Sequence, residues 1–287
     1  MDLIYVTKHL NTQRKCINYL EQKRWYGIPT CPYCESQKSS PKNFRHTCLD
    51  CNNSYSVTVG TVFEGSKLPL MKWFMAISLI LSAKKGISSM QLSRDISVNK
   101  NTAWLLQMKI RSAMSRASTD QLGGIVEADE TFVGGKTKGG KGRKRKTHGG
   151  PQKHQKPVLG FVQREGKVMT KVIDAPLREI IMPILKSNVT KESTLVTDGS
   201  QAYFPAKKHF SGHRIMSHST GIYNRGIYHT NTIEGFWSQL KRAIIGQYHK
   251  ISEGYLQKYL DEISFKYNHR LCCDKGYSVL LCLMLVN

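Results

Sequence analysis

Residues 124–135 read GIVEADETFVGG. The stretch alternates, is rich in β-formers such as Ile125, Val126, Thr131, Phe132 and Val133, and is closed by a glycine pair. That pattern predicts a strand with an acid, Asp129, near its end. The sequence on its C-terminal side builds an α/β domain around it. VLGFVQREGKVMTKVIDA (158–175) reads as a hairpin turning at Glu165-Gly166. PLREIIMPILKSNV (176–189) has helical apolar spacing, with a kink expected at Pro183. STLVTDGS (193–200) reads as a short buried strand ending in a loop, HRIMSHS (213–219) as a further strand, and 231–245 and 253–268 as two closing helices.

Three acids occupy telling places in that pattern. Asp129 and Asp198 end strand-like runs, and strand ends are where an α/β sheet presents ligands to a cleft. Glu234 stands near the start of a helix in HTNTIEGFWSQLKR (229–242). Three carboxylates gathered in a strongly basic chain are costly unless cations neutralise them. Two Mg²⁺ ions suit such oxygen ligands and can activate a nucleophile and stabilise a leaving oxygen at phosphorus. Glu127 shares the Asp129 face of the strand and Glu130 takes the other; either fits a surface charge or an ion-pair partner. His229 is expected near the cleft, Phe236 and Trp237 in the core, and Asp174 and Glu192 at structural or solvent-facing positions.

The 287 residues carry 43 Lys+Arg against 20 Asp+Glu, a formal charge of +23, which points to a polyanionic partner. No stretch reaches the roughly 18 apolar residues of a membrane span. The opening MDLIYVTKHL has no basic segment followed by an apolar core, so no secretory signal is expected and an intracellular protein is. Residues 136–156, KTKGGKGRKRKTHGGPQKHQK, hold nine Lys/Arg and no acid among many glycines. This basic loop is expected to track a nucleic-acid backbone through Lys141, Arg143, Lys144, Arg145 and Lys146.

The first 120 residues divide differently. Residues 1–27 are expected to carry an amphipathic helix over Lys8 to Glu21, 28–60 a zinc ribbon, and 61–120 a helical segment, leaving 121–287 to the α/β domain. CPYC and CLDC, thirteen residues apart, offer Cys31, Cys34, Cys48 and Cys51 as two knuckles around one structural Zn²⁺. Pro32 and Asn52 suit the knuckle turns, and Phe44, Tyr55 and Val57 short strands. Cys16, Cys272, Cys273 and Cys282 lack such spacing and read as buried thiols. LPLMKWFMAISLILSAKK (68–85) reads as a buried helix. Residues 87–114 read as two helices with a short break, capped at Ser88 or Ser89 and at Asn99 or Asn101. This outline fits a helix-turn-helix, with Lys100, Lys109 and Arg111 as DNA contacts, and also an ordinary helical hairpin.

The order zinc ribbon, helical segment, VEADETFVGGK (126–136), LVTDGSQAY (195–203) and HTNTIEGFWSQLKRAIIGQYH (229–249) resembles the DDE transposases of bacterial insertion sequences related to eukaryotic Merlin elements. The resemblance covers nearly the whole chain. It implies an RNase H-like catalytic domain in which Asp129, Asp198 and Glu234 bind two Mg²⁺, with Mn²⁺ as a substitute. It also implies a lysine seven residues after the glutamate, here Lys241, about two turns on and therefore on the same helix face. The implied partners are double-stranded DNA, as terminal inverted repeats and as target, and further copies of the chain in a dimer or larger synaptic assembly. The implied place is the bacterial cytoplasm with its nucleoid, or the nucleus for a eukaryotic relative. A zinc-ribbon regulator or inactive, domesticated relic, and a nuclease that cuts without joining, are the competing functions. Two features depart from the family pattern: YNHRLCCDKGYS (267–278) lacks a double arginine, and the chain closes on an apolar tail.

Overall fold

The computed structural model describes residues 1–117, 120–134, 155–216, 227–271 and 273–286. The chain divides into two compact units, Met1–Ala117 with His269–Asn287, and Ser118–Asn268.

In the first unit, α1 (Leu3–His9) and α2 (Gln13–Trp25) replace the single helix expected over Lys8 to Glu21. The break lies at Asn11-Thr12, where the Thr12 hydroxyl accepts from Lys15 N at 3.3 Å and starts a new helix. A three-stranded antiparallel ribbon follows: β1 (Ser39–Lys42), β2 (Arg45–Cys48) and β3 (Ser54–Tyr55). Tyr55 is on a strand as expected, whereas Phe44 falls in the β1–β2 turn and Val57 beyond β3. Next come α3 (Leu70–Ser82), whose Trp73, Phe74, Ile77 and Ile80 are buried, α4 (Ser89–Asp95) and α5 (Lys100–Met114). Ser88 caps α4 by accepting from Gln91 N at 3.1 Å, and Asn99 caps α5 by accepting from Asn101 N at 2.8 Å. The last helix, α9 (Cys273–Leu285), packs on α2, α3 and α5. Residues 269–287, expected with the α/β domain, thus belong to the first unit, because their apolar side chains, Leu280, Leu281 and Met284 among them, are buried there. Of the unassigned thiols, Cys16 is buried but Cys282 is exposed; Cys272 and the Cys273 side chain lie outside the described residues.

The second unit is a mixed α/β fold on one five-stranded sheet of order β6-β5-β4-β7-β8. Its strands are β4 (Ile125–Val133), β5 (Lys156–Gln163), β6 (Val168–Val172), β7 (Thr194–Thr197) and β8 (Gly212–Ile215). β4, β5 and β6 run antiparallel through the expected hairpin, while β7 and β8 join β4 in parallel. The period-2 alternation of β4 and β5 divides their side chains between two cores. Val126, Ala128, Leu159 and Phe161 pack with α6 (Arg178–Asn188), which runs on through Pro183, and with Tyr203 and Ala206 of the 3₁₀ segment Gln201–Lys208. Val133, Val158 and Val162 pack under α7 (Asn231–Ala243) and α8 (Leu256–Asn268). α7 continues as a π-helical turn, Ile244–Tyr248. Of the basic loop 136–156, residues 136–154 lie outside the described residues; Lys156 opens β5 and pairs with Glu253. Among the described residues no helix is long and apolar enough to cross a membrane.

Candidate active site

Asp129 sits in the middle of the central strand, opposite Gly160 of β5, and not at the strand's end as expected, because Thr131, Phe132 and Val133 carry the pairing with β5 onward; it is the shorter β7 that ends beside it. In the parallel pairing with β7, Ala128 faces Thr197, so the next residues on each chain, Asp129 and Asp198, come side by side. Asp198 is steadied by a local turn in which Ser200 N donates to its Oδ1 at 3.0 Å. Glu234 lies in the first turn of α7, with the Thr230 hydroxyl donating to its Oε1 at 2.8 Å. Burial pushes the Asp129 carboxyl up to about 6, and the charges of Asp198 and Glu234 push the same way; hydrogen bonds from the Glu130 backbone and Trp237 pull against them.

Asp129, Glu130, Thr131, Glu234, Trp237, Ser238 and Lys241 line one cavity of about 300 Å³. Glu234 and Lys241 therefore open onto the same space, as their seven-residue separation predicts. Asp198 is not part of the lining and acts on Asp129 electrostatically from the neighbouring strand end. Glu130, on the opposite face from Asp129, is raised to about 7 by burial, with the charges of Asp198 and Asp129 adding to it. The buried Tyr203 beside it is held well above the ordinary phenol value by burial and by that carboxylate.

Two contacts had no signal in the linear sequence. Trp237, 4% exposed, is core as expected, but its indole Nε1 also donates to Asp129 Oδ2 at 2.9 Å. The indole reaches that far because Gly160 has no side chain: a Cβ there would stand 2.3 Å from Trp237 Cη2. The second is Glu127, which is fully buried. Its Oε2 accepts from the backbone N–H groups of Thr232 at 2.8 Å and Ile233 at 3.0 Å, the first turn of α7. Its Oε1 accepts from the Thr232 hydroxyl at 2.7 Å and from Arg164 Nη2 at 2.7 Å and Nε at 3.2 Å. His229 Nδ1 lies 3.4 Å from the same oxygen, close to the cleft-lining segment as expected. The face shared by residues 127 and 129 was legible; the helix end that Glu127 holds was not.

In the first unit, the Sγ atoms of Cys31, Cys34, Cys48 and Cys51 all lie within 4.8 Å of one another. Glu35 and Asn52, each directly after the second cysteine of a knuckle, take φ of +60° and +57°, turning each chain back on itself. Backbone N–H bonds from Cys51 and Asp50 favour the thiolate of Cys48, the form a metal binds, while the crowded thiols of Cys51, Cys48 and Cys31 push Cys34 the other way, so the four sulfurs share their protons. Four soft ligands in a closed set fit a structural zinc.

The expected DNA contacts separate into three groups. Lys100 is exposed at the start of α5. Lys109 is exposed too, its ammonium over the Trp73 ring at 5.9 Å. Arg111 is only 1% exposed, on the side of α5 covered by neighbouring helices, and it cannot touch DNA from there. Lys141, Arg143, Lys144, Arg145 and Lys146 lie outside the described residues.

The sequence model of the ISXO2-like transposase domain matches residues 121–268, which hold the whole sheet, all three acids and Lys241. The chain belongs to that transposase family. It is also 28% identical over 264 residues to a protein named "Uncharacterized protein in transposable element ISH50" from Halobacterium salinarum, covering 87% of this chain and 88% of that one. Among solved structures, it is similar to the Mos1 strand transfer complex at 12% identity, TM-score 0.33, over 72% of this chain and 74% of that one. The Mos1 mariner paired end complex with Mn matches at 12% identity, TM-score 0.30, over 97% and 93%.

Proposed function

We propose that this ISXO2-like transposase cuts the ends of its own element and joins them to target DNA, using Asp129, Asp198 and Glu234 as a divalent-metal site on an RNase H-like core. The observation that carries the proposal is the convergence of Asp129, Glu234 and Lys241 on one cavity with Asp198 beside it, inside the matched transposase domain. The core assignment is supported by the sheet, in which three antiparallel strands are extended by two parallel ones and the first strand carries the first acid. The donor set fits Mg²⁺ or Mn²⁺, since it consists of carboxylate oxygens and Asp129 is held near 6 by burial and by the two acids that would share the cation. When bound, two such ions supply activation of the attacking oxygen and stabilisation of the leaving one.

The protein's own groups set up that chemistry. Trp237 and Ser200 fix the carboxylates of Asp129 and Asp198, and Thr230 fixes that of Glu234. Lys241, on the cavity wall two turns beyond Glu234, holds a phosphate oxygen of the strand being cut. The first unit binds DNA, with the cysteine cluster as a zinc ribbon and Lys100 and Lys109 on the contact surface; Lys141, Arg143, Lys144, Arg145 and Lys146 follow the backbone of flanking or target DNA. Two ends joined together require at least two copies of the chain. Incubation with Mg²⁺ and labelled element ends tests this: cut and joined products are expected. Cutting without joining would make the protein a nuclease, and binding without cutting a regulator or relic.

A further inference from the structure

We infer that Glu127, held by Arg164, is the positioning residue that sets Glu234 against Asp129. The inference rests on the metal-site function just proposed and assigns a task to a carboxylate outside the triad. An α-helix normally satisfies its first N–H groups through the side chain of its own cap residue. α7 does not, because Thr230, its cap residue, makes no capping bond and directs its hydroxyl to Glu234. The N–H groups of Thr232 and Ile233 are instead taken by Glu127, which stands on β4 two residues before Asp129 and on the same face.

The consequence is a short closed circuit. From Asp129 the path runs two residues back along a central strand, crosses hydrogen bonds of 2.8 Å and 3.0 Å to the helix start, and reaches Glu234 within two residues. The strand that carries the first acid thus grips the helix that carries the third, next to the point where the two acids meet. Trp237 closes the circuit one turn further on by donating to Asp129 from the same helix. A displacement of α7 along its axis would have to break both attachments.

Arg164 completes the device. It sits in the turn between β5 and β6, donates twice to Glu127 Oε1, and also donates to the carbonyl oxygens of Ile227 and, at 3.1 Å, His229. It therefore neutralises the buried carboxylate and ties down the chain entering α7. A carboxylate at a helix N-terminus is further favoured by the helix dipole. A buried ion pair serving stability alone needs only mutual neutralisation. Here three of the five bonds that Glu127 accepts go to the first turn of the Glu234 helix.

The test compares wild-type full-length protein with Glu127→Gln, Glu127→Asp and Thr232→Val, using Glu234→Gln as the reference for a lost ligand. Glu127→Gln keeps an acceptor but turns an amide donor toward Arg164. Glu127→Asp keeps the charge but is one carbon too short to reach both partners. Thr232→Val removes a single bond and leaves folding least disturbed. Mn²⁺ affinity is measured by the paramagnetic resonance of free Mn²⁺, below the melting temperature of each variant, alongside end binding and end cleavage. Loss of a direct hydrogen-bond partner of a metal ligand typically weakens metal binding 10–100-fold. Glu127 acts one step further out, through the start of the Glu234 helix, so a loss of about tenfold, the low end of that range, is expected for Glu127→Gln, with a smaller loss for Thr232→Val and unchanged DNA binding. Variants that melt earlier yet, while folded, bind Mn²⁺ and cut like wild type would overturn the inference and leave the metal site standing. Absence of Mn²⁺ binding in wild type would overturn both.

Discussion

The raised Asp129 carboxyl makes the folded protein sensitive to a single substitution in an unusual direction. Asp129 is displaced from 3.8 to about 6. At 1.36 kcal/mol per tenfold change in proton affinity, ionising it is about 3 kcal/mol less favourable in the folded than in the unfolded chain, a difference felt in full at pH 8. The sign follows from which state binds the proton more tightly. A folded-state value above the unfolded one gives stability that is complete below pH 4 and is lost as pH rises through 6. Roughly half of the loss is already present at pH 5. Asp129→Asn keeps a carbonyl oxygen for the Trp237 indole and removes the charge, so it is expected to stabilise the protein. In buffer free of Mg²⁺ and Mn²⁺, the gain at pH 8 is up to about 3 kcal/mol, or roughly 6–12 °C in melting temperature, shrinking to about half at pH 5. Scanning calorimetry at both pH values measures it. Mg²⁺ should then raise the melting temperature of wild type and leave the variant unmoved. A variant no more stable than wild type at pH 8, or a gain that does not shrink on acidification, would refute the reasoning.

Other expectations follow from particular contacts. Gly160→Ala puts a Cβ 2.3 Å from the Trp237 ring; it should cost about 1–3 kcal/mol in melting experiments and reduce cleavage, since the indole that orients Asp129 must move. Cys31→Ser should lower bound zinc to none by atomic absorption and unfold the ribbon, with the second unit retaining its own melting transition. Lys100→Ala should weaken DNA binding and lower the slope of log affinity against log salt by about 1, as for one lost phosphate contact. Arg111→Met, at a buried position, should leave that slope unchanged and act only on stability.

What the sequence made legible was whatever a local period could encode. Alternation in 124–133 gave β4, its two faces and the shared side of Glu127 and Asp129, and the seven-residue step from Glu234 gave the common cavity wall with Lys241. Two knuckles of cysteines gave a cluster that does close in space. What escaped depended on partners far along the chain. Arg111 looked exposed because the visible apolar stripe of α5 ran through Ala103, Leu106, Ile110 and Ala113; α3, α4 and α9 widen the buried face to include Gln107 and Arg111. The apolar tail was an anomaly for the α/β domain and is ordinary core for the first unit, once α9 returns to it. Gly160 carried no mark of its role, since the indole it admits lies 77 residues on.

Everything proposed for this transposase depends on the three acids acting together on cations. Manganese anomalous scattering from crystals grown or soaked in Mn²⁺ tests that claim most directly. Density bounded by Asp129, Asp198 and Glu234 in wild type, and lost in Asp129→Asn, is the expected result. Manganese bound elsewhere, or a triad that stays empty in crystals holding Mn²⁺ at other sites, would contradict it.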